Sequence, residues 1–142
     1  MLLDKCQILP LPKIPDLRGN LTFIEGERHV PFVIERVYWI YNVPGGEMRG
    51  GHAYRTLQEF VIALSGSFDV VLDDGAMRRT VTLNRAYTGL YIPNMIWRHL
   101  ENFSTNASCL ILASALYDER DYLRDYQEYL AQQGHRTEGL AG

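Results

Sequence analysis

The residues able to do chemistry cluster in one stretch, GEMRGGHAYRTLQEFVIALSG (46–66), with a partner stretch downstream. Five residues separate Gly46 from His52. Tyr54 follows after one more, Glu59 after a further four and Gly66 after a further six. Downstream stand Pro93, Met95, Arg98 and Asn102, with Gly89 just ahead of them. A histidine has its ordinary pKa near working pH, which makes His52 a candidate general base. Tyr54 lies two residues on, so on a strand it shares a face with His52 and can donate or shuttle a proton. Arg18, Arg49 and Arg98 carry fixed positive charge that can stabilise an enolate oxygen or bind phosphates. The plainer reading of a lone histidine is a side chain merely satisfied by hydrogen bonds.

Such side chains need a frame, and the chain between residues 21 and 114 is dominated by short β-like runs. Ile34–Tyr41 is rich in β-branched and aromatic types. Glu59–Leu64 stops at Ser65-Gly66-Ser67, and Phe68–Leu72 runs into the hairpin signal Asp73-Asp74-Gly75. Thr80–Leu83 alternates polar and apolar residues, and Leu21–Glu25, Leu90–Pro93 and Ser108–Ser114 complete the set. Turns about every 8–12 residues predict an all-β sandwich or barrel. If Arg98 lies on a strand, its neighbour His99 points to the other face. Residues 118–133 are charged, with Tyr122, Tyr126, Tyr129 and Leu130 at helical spacing. Asp118 and Asp121 suit the helix start and Gly134 its end. Residues 1–133 are expected to form one domain, and 134–142 a disordered tail.

Composition narrows the function classes. The 142 residues suffice for a core without staples. Fourteen basic and 17 acidic residues give a net charge of −3, which argues against a nucleic-acid binder. The two cysteines, Cys6 and Cys109, match no metal spacing and fit a reducing compartment. There is no signal-like apolar start and no membrane-length apolar run, so a cytoplasmic location is expected.

The spacing from Gly46 to Gly66 resembles the first motif of the cupins, small jelly-roll β-barrels, and Pro93, Met95, Arg98 and Asn102 stand at the positions of the second. The resemblance implies a cupin jelly-roll barrel, here with a C-terminal α-helix. Metal-binding cupins ligate through two histidines and a glutamate of the first motif and a histidine of the second. Here Tyr54 and Arg98 replace two of those histidines. His52 and Glu59 beside an arginine make a poor divalent-metal site, so no metal is expected.

A closer resemblance covers nearly the whole chain. DLRGNLTFIE (16–25), ERVYWIY (35–41), MRGGHAYRTLQE (48–59), LSGSFDVVLDDG (64–75), GLYIPNMIW (89–97) and LASALYDERDYLRDY (112–126) resemble, in order, the TDP-4-keto-6-deoxyglucose 3,4-ketoisomerases. That implies a homodimer exchanging N-terminal strands and a dTDP-linked 4-keto-6-deoxyhexose as substrate. It also implies no cofactor, and a 3-keto product passed to a pyridoxal-phosphate aminotransferase for 3-amino-3,6-dideoxyhexose synthesis. Such sugars serve surface polysaccharides, O-antigen lipopolysaccharide among them, or glycosylated natural products. By the resemblance His52 is the base, and Tyr54 replaces the family's second histidine. Arg18 resembles the branch forming the galacto product and Arg98 the gluco branch. Arg49 is expected at the diphosphate. Tyr38, Tyr41, Tyr91 and Trp97 are expected to supply thymine and sugar contacts, and Glu59 to lie at the binding site. The competing readings are a silent sugar-nucleotide-binding cupin (a consequence of Tyr54), a sugar-nucleotide epimerase, a metal-dependent oxygenase and an interaction protein.

Overall fold

The computed structural model describes residues 2–141, with side chains through Gly134. Its strands are β1 (Gln7–Pro10), β2 (Lys13–Ile14), β3 (Leu21–Thr22), β4 (Arg36–Tyr41), β5 (Arg49–Tyr54), β6 (Glu59–Ser65), β7 (Phe68–Asp73), β8 (Arg78–Leu83), β9 (Thr88–Ile92), β10 (Trp97–Glu101), β11 (Ser108–Ala113) and β12 (Tyr122–Leu123). The helix α1 spans Tyr126–Ala141. Two five-stranded sheets have the orders β1-β9-β6-β11-β4 and β12-β5-β10-β7-β8, while β2 and β3 form a separate two-stranded arm. Every strand pair is antiparallel. This is the expected all-β, cupin-like architecture with a C-terminal helix.

Strand alternation fills the space between the sheets. Val61, Ala63, Phe68, Val70, Leu72, Leu90, Leu100 and Ile111 belong to one buried cluster. On β6 the alternate residues Phe60 and Ile62 join a second cluster with Leu11, Val30 and Phe32. The N-terminal segments therefore cover the outer face of β6, which explains a strand apolar on both faces. The polar residue Glu59 shares the inner face with Val61 and Ala63. Arg98 shares the inner face of β10 with Leu100, at 2 % and 0 % exposure.

The Asp73-Asp74-Gly75 turn forms as expected. The Asp74 carboxylate accepts from the amides of Ala76 and Met77, and Gly75 takes φ +94°. Strand β5 was not legible from propensity, because its glycines weaken a strand. Its register explains them. Arg98 faces His52 but Leu100 faces Arg49, so β5 carries one extra residue, a bulge at Gly50–Gly51. Gly50 has φ +71°, and a Cβ there would collide with the Arg98 guanidinium.

The end of the chain differs from the expected helix over 118–133. Asp118 caps only a short 3-10 turn, Glu119–Asp121, and β12 follows. Asp121 turns back to accept from the amides of Thr56 and Leu57, and the amides of Gln127 and Glu128 bond to Asp125 instead. The helix continues through Gly134, which costs about 1 kcal/mol relative to alanine without breaking it. The side chains from His135 onward and Gly142, where the disordered tail was expected, lie outside the described residues.

The helix is clamped to the barrel. The buried Tyr129 hydroxyl lies 3.0 Å from the carbonyl oxygens of Asp73 and Met95 and accepts from Gln133 Nε2 at 3.0 Å. Met95 stands where the second cupin motif has glycine, and it has φ +64°, so its backbone keeps the glycine conformation. Tyr129→Phe should take this hydroxyl donor from the buried Asp73 carbonyl, Met95 keeping that of Gln133, and lower stability by about 1–3 kcal/mol. Urea unfolding measures this, and an unchanged midpoint would show that the clamp contributes nothing.

Candidate active site

At one end of the barrel the inward alternation changes from apolar to charged. Arg98 Nε and Nη2 donate to the two oxygens of the Glu59 carboxylate, both at 2.9 Å. Arg98 Nη1 donates to the Gly50 carbonyl at 3.0 Å, and Nη2 also to the Tyr38 hydroxyl at 3.2 Å. Tyr38 in turn donates to Glu59 at 2.6 Å. The pair is buried, with side-chain exposures of 2 % and 1 %. A bidentate pair in this setting is charge-assisted, and it offsets the cost of burying both ions.

His52 and Tyr54 project from β5 above this pair. Their rings meet edge-on at 4.8 Å between centroids. His52 is buried, and its Nε2 has no hydrogen-bond partner among the described residues. Burial, then the positive charges of Arg98 and Arg124, push its pKa from 6.5 down to about 2. The imidazole is therefore neutral across the physiological range. Tyr54 is held above the ordinary tyrosine value by burial and by the Glu59 charge, so it stays a protonated donor.

A cavity of about 610 Å³ opens over these groups. Arg36, Arg49, Arg98 and Arg124 line it with His52, Tyr38, Tyr54, Tyr117 and Tyr122, and no carboxylate is in the lining. Such a cleft concentrates anions. Among the described residues no group of three His, Cys, Asp or Glu could hold a metal ion. Glu59, a ligand position in metal cupins, has both oxygens engaged by Arg98.

The sequence-derived residues divide. His52, Tyr54, Arg98, Tyr38 and Arg49 meet at the cavity. Glu59 lies beneath it and acts on Arg98 rather than facing the cleft. Arg18 is not brought there within one chain: it sits on the β2–β3 arm, 90 % exposed and paired with Asp16. Tyr41 borders a neighbouring groove beside Trp39 and Arg49. Tyr91 faces a separate groove, with its hydroxyl on Gln58. Trp97 points away from Arg98 and packs on Tyr126 and Tyr129 under the helix. The alternation along β10 accounts for this, and His99 likewise faces away, 3.1 Å from Glu101.

Sequence reasoning missed Arg36, Tyr117, Tyr122 and Arg124. Tyr122 was assigned to a helix stripe, yet it pairs with Tyr54 across β12 and β5. Arg36 begins the strand that holds Tyr38, two residues on, and that same-face spacing was the available signal.

The lowered pKa of His52 has a consequence for stability. Below pH 6.5 the unfolded chain takes up a proton that the native site refuses, so this contribution is complete above 6.5 and is lost as pH falls toward about 2. Between pH 6.5 and about pH 5 the loss should approach about 2 kcal/mol, and His52→Asn should abolish that part of the slope. Urea midpoints against pH test it, and identical slopes in the two proteins would contradict it.

Comparison with known proteins places this geometry. The family described as FdtA (WxcM-like, C-terminal) matches residues 4–134. The TDP-4-oxo-6-deoxy-alpha-D-glucose-3,4-oxoisomerase of Aneurinibacillus thermoaerophilus is 38 % identical over 136 residues, 94 % of this chain and 98 % of that protein. Among solved structures, a sugar 3,4-ketoisomerase from Thermoanaerobacterium thermosaccharolyticum in complex with TDP matches with a TM-score of 0.91 and 36 % identity, covering 92 % of this chain and 96 % of that one. The TDP-quinovose 3,4-ketoisomerase of Campylobacter jejuni matches with a TM-score of 0.85 and 44 % identity, covering 89 % and 97 %. With a family match across nearly its whole length and a barrel end that sets a histidine beside a buried arginine, the chain belongs to the FdtA-type family of sugar 3,4-ketoisomerases and is an isomerase.

Proposed function

We propose that the substrate is TDP-4-keto-6-deoxyglucose and that the chain converts it, without metal, to the 3-keto isomer through a 3,4-enediolate. The observation that carries this reading is the neutral His52 nitrogen, without a hydrogen-bond partner among the described residues, in a cavity that these residues line with four arginines and no carboxylate. The C3 proton is acidified by the C4 ketone. His52 takes it, the C3–H pair becomes the C3=C4 bond, and charge moves onto the C4 oxygen. The arginines stabilise that oxygen and the diphosphate. The same positive charges that make His52 a weak base at rest are offset as the enediolate forms, so its basicity rises with the charge it creates. Arg49 at the cavity mouth suits the diphosphate, and Arg98 underlies the reacting centre.

The working unit is a homodimer that exchanges N-terminal strands. Strand β4 ends its sheet and exposes Val37, Trp39 and Tyr41, while the β2–β3 arm exposes Ile14, Leu17 and Leu21. Two such surfaces are complementary, and the exchange carries Arg18 toward a partner's cavity. The 3-keto product suits a pyridoxal-phosphate aminotransferase in making an amino sugar for surface polysaccharide in the cytoplasm. Among the described residues no helix is long and apolar enough to cross a membrane.

Proton NMR in deuterated water, with TDP-4-keto-6-deoxyglucose, tests the reading. The C3 signal should disappear as a 3-keto product grows, unaffected by chelator. His52→Asn should slow turnover by at least about 10²-fold with the fold intact. An unchanged spectrum with saturable nucleotide-sugar binding would instead identify a silent binding protein.

A further inference from the structure

An isomerase of this kind must move protons between oxygens as well as between carbons, and His52 serves the carbons. We infer that the oxygens are served by a pair of hydroxyls in series, Tyr54 facing the reacting centre and Tyr122 behind it as the terminal proton donor and acceptor. The inference rests on the ketoisomerase reading above.

Tyr122 and Tyr54 are register partners on β12 and β5. Their rings lie 4.7 Å apart, and the Tyr54 hydroxyl donates to that of Tyr122 at 3.3 Å. Both rings contact His52, at 4.8 and 5.0 Å between centroids. The other hydroxyl near the centre, that of Tyr38, is already engaged between Arg98 and Glu59.

Charge decides where a tyrosinate can rest. Tyr54 is buried, and both burial and Glu59 disfavour its ionised form. Tyr122 has the Arg124 guanidinium 4.2 Å from its ring centre. Arg36 adds a second cation. It lies over the rings of Tyr38 and Tyr117, at 5.0 and 5.5 Å from their centres, in the same cavity lining as Tyr122. Arg36 Nε and Nη2 are buried without a hydrogen-bond partner among the described residues. A negative charge that appears on Tyr54 is therefore better placed one hydroxyl further out. Both tyrosines border a second open cleft beside Thr56 and Asp118, and Tyr122, half-buried where Tyr54 is buried, is the one whose proton can exchange with water there.

The step balances. Rotation of both hydroxyls on substrate binding reverses the resting hydrogen bond; as His52 removes the C3 proton, the charge developing on the C4 oxygen of the enediolate draws the Tyr54 proton, and Tyr54 takes that of Tyr122. In the second half the C3 hydroxyl returns its proton along the same pair. The C3–O bond becomes a carbonyl, and the C3=C4 electron pair takes the proton from the His52 imidazolium at C4. No oxidant, reductant or net proton is required.

The test compares kcat and KM for Tyr54→Phe, Tyr122→Phe, the double variant, Tyr54→His and Tyr54→His/Tyr122→Phe on TDP-4-keto-6-deoxyglucose. Tyr54→Phe and Tyr122→Phe should each lower kcat by about 10²-fold or more with KM nearly unchanged, and the double variant should be no worse than either. In the Tyr54→His background, where an imidazole can carry the proton itself, Tyr122→Phe should change kcat by less than about threefold. That background also shows that Tyr122→Phe folds. Normal kcat in Tyr122→Phe, losses that multiply in the double variant, or equal losses in both backgrounds would each overturn the inference. Absence of turnover in the unmodified protein would instead overturn the ketoisomerase reading.

Discussion

A buried ion pair organises this molecule. Glu59 and Arg98 come from strands of different sheets and meet inside the barrel, each nearly inaccessible. Removing one partner of such a pair costs about 3–5 kcal/mol, because the other charge is left buried alone, whereas apolar residues of the same volume would stabilise the fold as well. Stability therefore does not explain a charged pair here; its effect on the cavity above it does. The pair also dictates backbone geometry. The Gly50 carbonyl accepts from Arg98 only because the β5 bulge brings it inward, and only glycine leaves room for the guanidinium.

From this pair the properties of the cavity follow. Glu59 holds Arg98 rigidly without presenting its own charge to the cleft. Arg36, Arg49 and Arg124 add positive charge around the rim. Burial beside that charge keeps His52 neutral. Tyr38 is fixed between both members of the pair, while the Tyr54 and Tyr122 hydroxyls bond to each other. A glutamate and a second-motif side chain that bind metal in other cupins here bind each other.

Much of this was legible in the residues. The spacing from Gly46 to Gly66 and the segments resembling ketoisomerases identified the barrel, His52 and Tyr54. The turn at Asp73–Gly75 and the opposite facing of Arg98 and His99 followed from strand geometry. What was not legible depended on contacts distant in sequence. Tyr122 read as a helix residue because its spacing to Tyr126 and Tyr129 is helical, while pairing with β5 draws it into a strand. Trp97 and Tyr91 have the right chemistry for a nucleotide, but alternation and the covering segments turn them elsewhere. Arg18 lies on an arm whose destination a single chain does not contain. Asp121, which resembled a helix-start residue, is needed by the amides that follow β5.

The central claim is that the Arg98–Glu59 end of the barrel holds the His52 imidazole neutral. Its most direct test is the titration of the His52 ring protons by NMR in the unliganded protein, assigned against His52→Asn. The account predicts no His52 titration step anywhere between about pH 8 and about pH 5. A step centred near the ordinary histidine value of 6.5 would contradict it.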